Sequence, residues 1–142
     1  MTTAEFVRAY DVVGADFTNA GRASTSIKET LKDMGVASTL VRRIAIASFE
    51  AEMNLVMYAR RGRMTLKVTP GEITIDVQDE GPGIADIGLA MQEGYSTATP
   101  EMREMGFGAG MGLPNIKRNT DTLVITSDLQ RGTHLVMQVH VS

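Results

Sequence analysis

Two glycine clusters separated by a polar stretch are the feature that most constrains this fold. The first cluster, Asp79-Glu80-Gly81-Pro82-Gly83, directly follows an alternating apolar segment, and the second runs from Gly106 to Gly112. Residues 92–104 between them are rich in threonine and glutamate and have no strong apolar period. Glycines let a backbone approach a ligand without intervening Cβ atoms. The arrangement therefore predicts a binding site with two glycine-rich edges and a lid over about residues 85–111.

Composition limits the alternatives for the rest of the chain. The 142 residues are 43% hydrophobic and 22% charged, which predicts a single globular domain over residues 1–142. The net charge of −3 gives no excess of basic residues for binding nucleic acid, and no apolar run is long enough to cross a membrane. With no cysteine there are no disulfides or thiolate metal sites, and the two histidines lack zinc-site spacing. The expected location is the cytoplasm, since the first residues show no signal-peptide pattern.

Apolar periodicity predicts an α+β fold. In chain order the predicted elements are a strand over 6–13, helices over 16–34 and 39–60, strands over 64–68 and 73–77, a short helix over 86–92, a helix over 112–119, and strands over 123–127 and 133–141. Gly35 and Gly62 are expected to end the first two helices, and Ser38 or Thr39 to cap the second. Pro70-Gly71 and residues 130–132 are expected to form hairpin turns. This order favours a two-layer α/β sandwich with a mostly antiparallel sheet and helices on one face.

The second predicted helix is apolar around much of its circumference, yet it contains Glu50, Glu52 and Asn54. Glu50 and Asn54 are four residues apart and share one face, whereas Glu52 lies about 200° away from Glu50. The pair offers a candidate general base at Glu50 and an amide oxygen at Asn54. Magnesium takes few protein oxygens and completes its shell with phosphates and water. A solvent-facing polar stripe is the alternative explanation.

Asp79 ends a strand and is followed by the tight turn at Gly81 and Gly83. An ionised aspartate only accepts hydrogen bonds, which suits the exocyclic amine of adenine. The alternative is an ordinary Asp-Gly turn. Thr133 begins the last strand, where its hydroxyl is expected to reach the base or the Asp79 carboxylate. A plain hairpin would also explain the Gly132-Thr133 pair.

The second glycine cluster precedes a predicted helix start. Its alternating glycines, Gly106, Gly108, Gly110 and Gly112, free backbone N–H groups to face an anion, and the helix N-terminus adds partial positive charge. We therefore expect a phosphate site here, with a flexible loop as the alternative. The cluster fits neither the dinucleotide fingerprint nor the Walker A pattern.

Taken together and in this order, these features resemble the GHKL or Bergerat-fold ATPases, which include gyrase and the histidine kinases. The short length narrows the resemblance to the bacterial anti-sigma-factor serine kinases and stressosome switch kinases. The stretches that carry it are Glu93-Gly94-Tyr95-Ser96-Thr97, Gly106 to Gly110, Leu113-Pro114 and Lys117-Arg118. The chain departs from that pattern in two places, a longer lid at residues 98–105 and an added glycine pair, Gly110-Met111-Gly112, before Leu113-Pro114.

The resemblance implies a protein serine/threonine kinase that uses ATP and Mg²⁺ and acts as a regulatory switch. By this resemblance Glu50 is the catalytic base, Asn54 holds the metal, and the nucleotide contacts are Asn54, Asp79, Gly81, Gly83, Gly106, Gly108, Gly110, Gly112 and Thr133. The basic residues Arg103, Lys117 and Arg118 are candidates for the γ-phosphate, with surface solvation as the alternative.

The implied partners are a STAS-domain substrate and a second protein, either a sigma factor or a PP2C-type phosphatase, and a homodimer is also expected. Two other functions remain open. One is a nucleotide-sensing module that sequesters a regulator without transferring phosphate. The other is a slow ATP hydrolase within a larger machine.

Overall fold

A computed structural model describes residues 5–84, 87–92 and 112–141 of the chain. Within those ranges the elements in order are β1 (Phe6–Val13), α1 (Arg22–Asp33), α2 (Ser38–Tyr58), β2 (Arg61–Thr69), β3 (Glu72–Glu80), α3 (Ile87–Ala90), α4 (Gly112–Asn119), β4 (Thr122–Asp128) and β5 (Gly132–His140). The predicted lid at 85–111 lies mostly outside these ranges.

The strands form one antiparallel sheet of five strands in the order β1-β2-β3-β5-β4. Alternate residues of the central strand, Ile73, Ile75 and Val77, are buried against the helices, as a period of two requires. The apolar residues of α1, α2 and α4 complete the same core. The predicted α+β architecture, with helices on one face of an antiparallel sheet, is therefore confirmed.

The first helix begins later than the sequence predicted, at Arg22 instead of Asp16. The Asp16 side chain accepts hydrogen bonds from the backbone N–H and side-chain amide of Asn19, which makes a local turn. Gly21 then takes a left-handed φ of 98° at the helix start. Local side-chain hydrogen bonds of this kind compete with helix formation. At the other end Gly35 has a φ of 79°, so the predicted glycine stop is confirmed.

The second helix also differs from its predicted ends. It begins at Ser38 with Ala37 in the cap position, and neither predicted cap side chain is used. It ends at Tyr58, and Gly62 lies in β2 opposite Asp79 instead of ending the helix. A side chain at Gly62 would collide with Leu55, so glycine lets α2 pack closely on this strand.

The remaining elements agree with the sequence to within a few residues. The helix α4 has the predicted bounds, whereas α3 covers only Ile87–Ala90. Each strand of the two hairpins begins one to three residues before its predicted start, because strand pairing extends beyond the stretch of apolar alternation. Gly132 belongs to β5, so the turn before it comprises residues 129–131. Among the described helices, none combines the length and the apolar character that a membrane crossing needs.

Candidate functional site

Asp79 lies in a row of residues that crosses one end of the sheet on its helix-covered face. It continues the buried side of β3 and pairs with Gly62 of β2. On its other side, Thr133 of β5 donates its backbone N–H to Asp79 Oδ1 at 3.0 Å. Ser127 of β4 is the register partner of Thr133. Gly62 on one side of Asp79 carries no side chain, and β5 on the other side holds the carboxylate through the N–H of Thr133.

The Asp79 carboxylate is half-buried, and burial raises the pKa of Asp79 while the N–H of Thr133 partly opposes the rise. One carboxylate oxygen, Oδ1, is bound by Thr133. The other, Oδ2, has no hydrogen-bond donor in the described parts of the chain. A carboxylate held on one side and open on the other can accept a hydrogen bond from a ligand.

The turn after Asp79 is fixed to the hairpin between β4 and β5. The N–H of Gly81 donates to the carbonyl of Arg131 at 3.2 Å, and the N–H of Gln130 donates to the carbonyl of Pro82 at 2.8 Å. Gly83 has a φ of 77°, and a Cβ there would lie 2.5 Å from the carbonyl oxygen of Asp128. This position therefore requires glycine for both its conformation and its packing.

The polar residues of α2 divide between two sides of the helix. Glu50 and Asn54 are half-buried on the side that faces α4. A Cβ on Gly112, the first residue of α4, would lie 3.3 Å from Asn54 Oδ1 and 3.6 Å from Glu50 Oε2. The start of α4 thus lies next to both the candidate base, Glu50, and the candidate metal ligand, Asn54.

Glu52 serves a different purpose from its two neighbours. Its side chain is 2% exposed and accepts hydrogen bonds from the backbone N–H groups of Gly21, Ala23 and Ser24 at 2.9, 3.3 and 2.8 Å. These are the unpaired donors at the start of α1, and their partial positive charge favours a carboxylate. Glu52 therefore caps α1 from the neighbouring helix and points away from Glu50, as helix geometry predicted.

Two residues of this site were missed by the sequence analysis. Ser127 Oγ accepts the N–H of Ile84 at 2.7 Å and lies 3.1 Å from the hydroxyl of Thr133. Asn115 donates from its side-chain amide to Glu50 Oε1 at 3.2 Å. Neither forms a local motif, but the alternating pattern of β4 would have placed Ser127 on the helix-covered face.

Of the two contacts expected for the Thr133 hydroxyl, the one to the base stays a prediction, and the one to the Asp79 carboxylate is not made by the hydroxyl. The backbone N–H makes that contact, because the next step of the β3–β5 register brings the two backbones together. The hydroxyl instead pairs with Ser127. Of the two basic candidates on α4, Lys117 is exposed and Arg118 donates to Asn115. The predicted phosphate residues Gly106, Gly108 and Gly110, with Arg103, lie outside the described residues.

A divalent cation fits this site through few protein atoms. Within residues 5–84, 87–92 and 112–141, no three His, Asp or Glu residues are close enough to enclose a metal ion. The amide oxygen of Asn54 lies at the start of a helix that favours phosphate. One protein oxygen combined with phosphate oxygens is a donor set that Mg²⁺ accepts.

Comparison with known proteins gives the family. Residues 13–139, most of the chain, match the model of the histidine kinase-like ATPase domain. The chain belongs to the histidine kinase-like ATPase family. Membership in this ATPase family implies ATP binding, and the predicted resemblance to the GHKL ATPases is confirmed.

This chain is similar to bacterial proteins that are named as a serine/threonine-protein kinase or as anti-sigma F factors. It is 30% identical to the serine/threonine-protein kinase RsbT of Bacillus subtilis over 76% of this chain and 78% of the relative. It is 34% identical to the anti-sigma F factor of Thermoanaerobacter sp. (strain X514) over 69% of this chain and 68% of the relative. It is 30% identical to the anti-sigma F factor of Clostridium botulinum (strain Eklund 17B / Type B) over 54% of this chain and half of the relative.

Proposed function

We propose that this ATPase domain is a Mg-ATP-dependent serine/threonine kinase that acts as a regulatory switch on a partner protein. The observation that carries the proposal is the position of Gly112, whose α-carbon faces both Asn54 and Glu50 at the start of α4. The start of α4, which favours phosphate, therefore lies beside both the oxygen ligand Asn54 and the candidate base Glu50. Transfer of a phosphoryl group mainly needs such positioning together with charge neutralisation.

The two ends of the site suit the two ends of a nucleotide. Gly81 lies against the end of α2 at Tyr58 and Ala59, and Gly112 faces Glu50 and Asn54 further up the same helix. Tyr58 and Glu50 are separated by about 12 Å along the helix axis at 1.5 Å per residue. Asp79 would accept the adenine amine at the Gly81 end, and α4 would receive the phosphates at the other.

Glu50 would act as the general base. Its carboxylate would take the proton from a serine or threonine hydroxyl of the partner as that oxygen forms a bond to the γ-phosphorus. The bond between the γ-phosphorus and the oxygen that bridges it to the β-phosphate breaks, and ADP leaves with that electron pair. When Mg²⁺ is bound, it neutralises phosphate charge, and Asn54 is the residue that would hold it.

The proposed substrate is a STAS-domain protein. Similarity to a named serine/threonine-protein kinase supports phosphoryl transfer, and the anti-sigma F factors among the relatives support a regulatory complex. The expected second partner is a sigma factor or a PP2C-type phosphatase. Cytoplasmic location and a homodimer are part of the same proposal.

A second candidate function is a nucleotide-sensing module that sequesters a regulator without transferring phosphate. Several relatives are named as anti-sigma F factors, and sequestration alone would fit that name. Both candidates require the same nucleotide contacts, so only phosphate transfer distinguishes them.

The test is an incubation of the purified protein with γ-labelled ATP and Mg²⁺ in a depleted extract of its host. Glu50→Gln should lower transfer by about a hundredfold or more, because a general base contributes about 10²–10⁴-fold, while ATP affinity survives. Glu29→Gln is the matched control, since Glu29 is exposed on α1. One labelled small protein that disappears with Glu50→Gln supports the kinase. Bound ATP without any label supports the sequestering module.

A further inference from the structure

The amide of Asn115 connects the helix α4 to the candidate base on α2. Its Nδ2 donates to Glu50 Oε1 at 3.2 Å, and its Oδ1 accepts from Arg118 Nη1 at 2.9 Å. The three side chains form a chain of hydrogen bonds from Arg118 through Asn115 to Glu50. No nucleotide contact that we propose above uses Asn115.

Chemistry fixes which way this amide points. A guanidinium only donates hydrogen bonds, so the side-chain oxygen of Asn115, Oδ1, must face Arg118. An ionised carboxylate only accepts them, so the amine of Asn115 must face Glu50. Both neighbours impose the same orientation, and the amide cannot turn over without losing both hydrogen bonds.

The helix that carries Asn115 is itself held in place. On one side of α4, Leu113 and Ile116 are 8% and 0% exposed within the core. On the other side, Gly112, Asn115 and Arg118 follow one another at intervals of three residues and therefore share a face. That face meets Glu50 at both Gly112 and Asn115. The helix that we propose to receive the phosphates is thus also the element that contacts the Glu50 carboxylate.

We propose that Asn115 is a positioning residue that holds the Glu50 carboxylate in the orientation required to accept the proton of the partner's hydroxyl. This inference rests on the proposed kinase function. One oxygen of Glu50, Oε1, is occupied by Asn115, and Oε2 lies on the side of Gly112. Asn115 therefore determines which carboxylate oxygen faces the phosphate end of the site.

Asn115→Asp is the informative variant, because it keeps the shape of the side chain and removes the donor. It also sets a second carboxylate against Glu50. Asn115→Ala removes the contact without adding charge. Asn119→Asp is the control. Asn119 lies on the same helix, but its side-chain amide donates to the backbone carbonyl of Asn115 and not to Glu50.

The first measurement does not need activity. In ¹⁵N-labelled protein the side-chain amide signals of Asn115 are identified by their absence from Asn115→Asp. Glu50→Gln should shift those signals, and Glu29→Gln should leave them unchanged. If Glu50→Gln leaves them unchanged as well, the contact is absent and the proposal is overturned.

The second measurement is the rate of phosphate transfer to the partner. Both Asn115 variants should lower kcat by about ten- to a hundredfold, as misplacement of a catalytic group does, with the KM for ATP changed less than about twofold. Asn119→Asp should stay near the wild-type kcat. A fall in kcat for Asn119→Asp equal to that of Asn115→Asp would indicate a general effect on α4 and overturn the positioning role, as would an unchanged kcat in both Asn115 variants.

The two measurements separate failure of this inference from failure of the proposed function. A wild-type protein that binds ATP and transfers no phosphate would contradict the kinase function. The positioning role would then fall with it, whereas the amide signals would still decide whether Asn115 contacts Glu50.

Discussion

The backbone N–H of Thr133 lies 3.0 Å from Asp79 Oδ1 and binds that oxygen from the neighbouring strand. Because the donor belongs to the backbone of β5, the contact is set by strand register and does not depend on the threonine side chain. It leaves the second oxygen, Oδ2, without a hydrogen-bond donor among the described residues. The sheet therefore orients Asp79 before any ligand arrives.

Asp79→Asn should weaken ATP binding by about ten- to a hundredfold, since a hydrogen bond to a charged group contributes about 1.5–3 kcal/mol. The amide can still accept from Thr133 through its oxygen, but its amine then meets the adenine amine, and two donors cannot bind each other. Asp76→Asn is the control, because Asp76 lies on the opposite face of the same strand, paired with His134. Titration calorimetry measures the ATP affinity of both variants. Unchanged ATP affinity in Asp79→Asn would contradict the whole nucleotide assignment.

Asp79 should also impose a particular pH dependence on stability. Burial raises its pKa in the folded protein above the ordinary value of 3.8. Between the unfolded and folded pKa values the folded state binds more protons, so the contribution of Asp79 to stability falls as pH rises through that window. Urea unfolding across acidic pH should show wild-type stability declining relative to Asp79→Asn as pH increases. The opposite slope, or parallel curves, would contradict the burial of this carboxylate.

Sequence patterns predicted the elements well and their long-range contacts poorly. Alternation along β3 predicted its buried face, and helix spacing predicted that Glu52 would point away from Glu50. The start of α1 was missed because its cap is supplied by Glu52, about thirty residues later in the chain. Such a contact leaves no local signal.

The same reasoning explains the other misses at the site. Asn115 contacts Glu50 across 65 residues of sequence, so no spacing rule could have singled it out. Gly62 resembled a helix stop because glycine commonly ends helices, whereas close packing against Leu55 is the actual reason for glycine there. Residue type indicated that these positions were special, and only the tertiary structure showed why.

Glu52→Ala should destabilise the protein by about 3 kcal/mol or more. The change removes the acceptor for three backbone donors at the start of α1, two of them buried and one partly buried, and each unsatisfied buried group costs about 1–3 kcal/mol. Glu29→Ala, an exposed substitution on α1, should change stability by less than about 0.5 kcal/mol. Urea denaturation gives the free energy of unfolding of both variants. Equal values for Glu52→Ala and Glu29→Ala would show that Glu52 does not cap α1.

Ser48→Ala should leave stability unchanged or raise it by about 1 kcal/mol. The Ser48 hydroxyl is buried on α2 and has no hydrogen-bond partner among residues 5–84, 87–92 and 112–141, and burying an unpaired hydroxyl costs free energy. Alanine also favours the helix slightly more than serine does. Thermal unfolding of Ser48→Ala beside Ser24→Ala makes the comparison, because the Ser24 hydroxyl bonds the carbonyl of Gly21 and its removal should destabilise. Loss of stability in Ser48→Ala would mean that the hydroxyl has a partner in solution.

Gly83→Ala should be more damaging than Gly35→Ala, although the two glycines have nearly the same backbone conformation. Their φ values are 77° and 79°, so alanine pays the same conformational strain of about 1–2 kcal/mol at either position. Around Gly35 a Cβ would have open space, whereas at Gly83 it would lie 2.5 Å from the carbonyl of Asp128. The difference in unfolding free energy between the two variants therefore isolates the cost of moving the turn away from the β4–β5 hairpin.

Because that turn follows Asp79 directly, Gly83→Ala should also weaken ATP binding, and Gly35→Ala should not. Urea denaturation and calorimetry on both proteins measure the two effects, and equal losses of stability and affinity would show that the turn is not seated against Asp128.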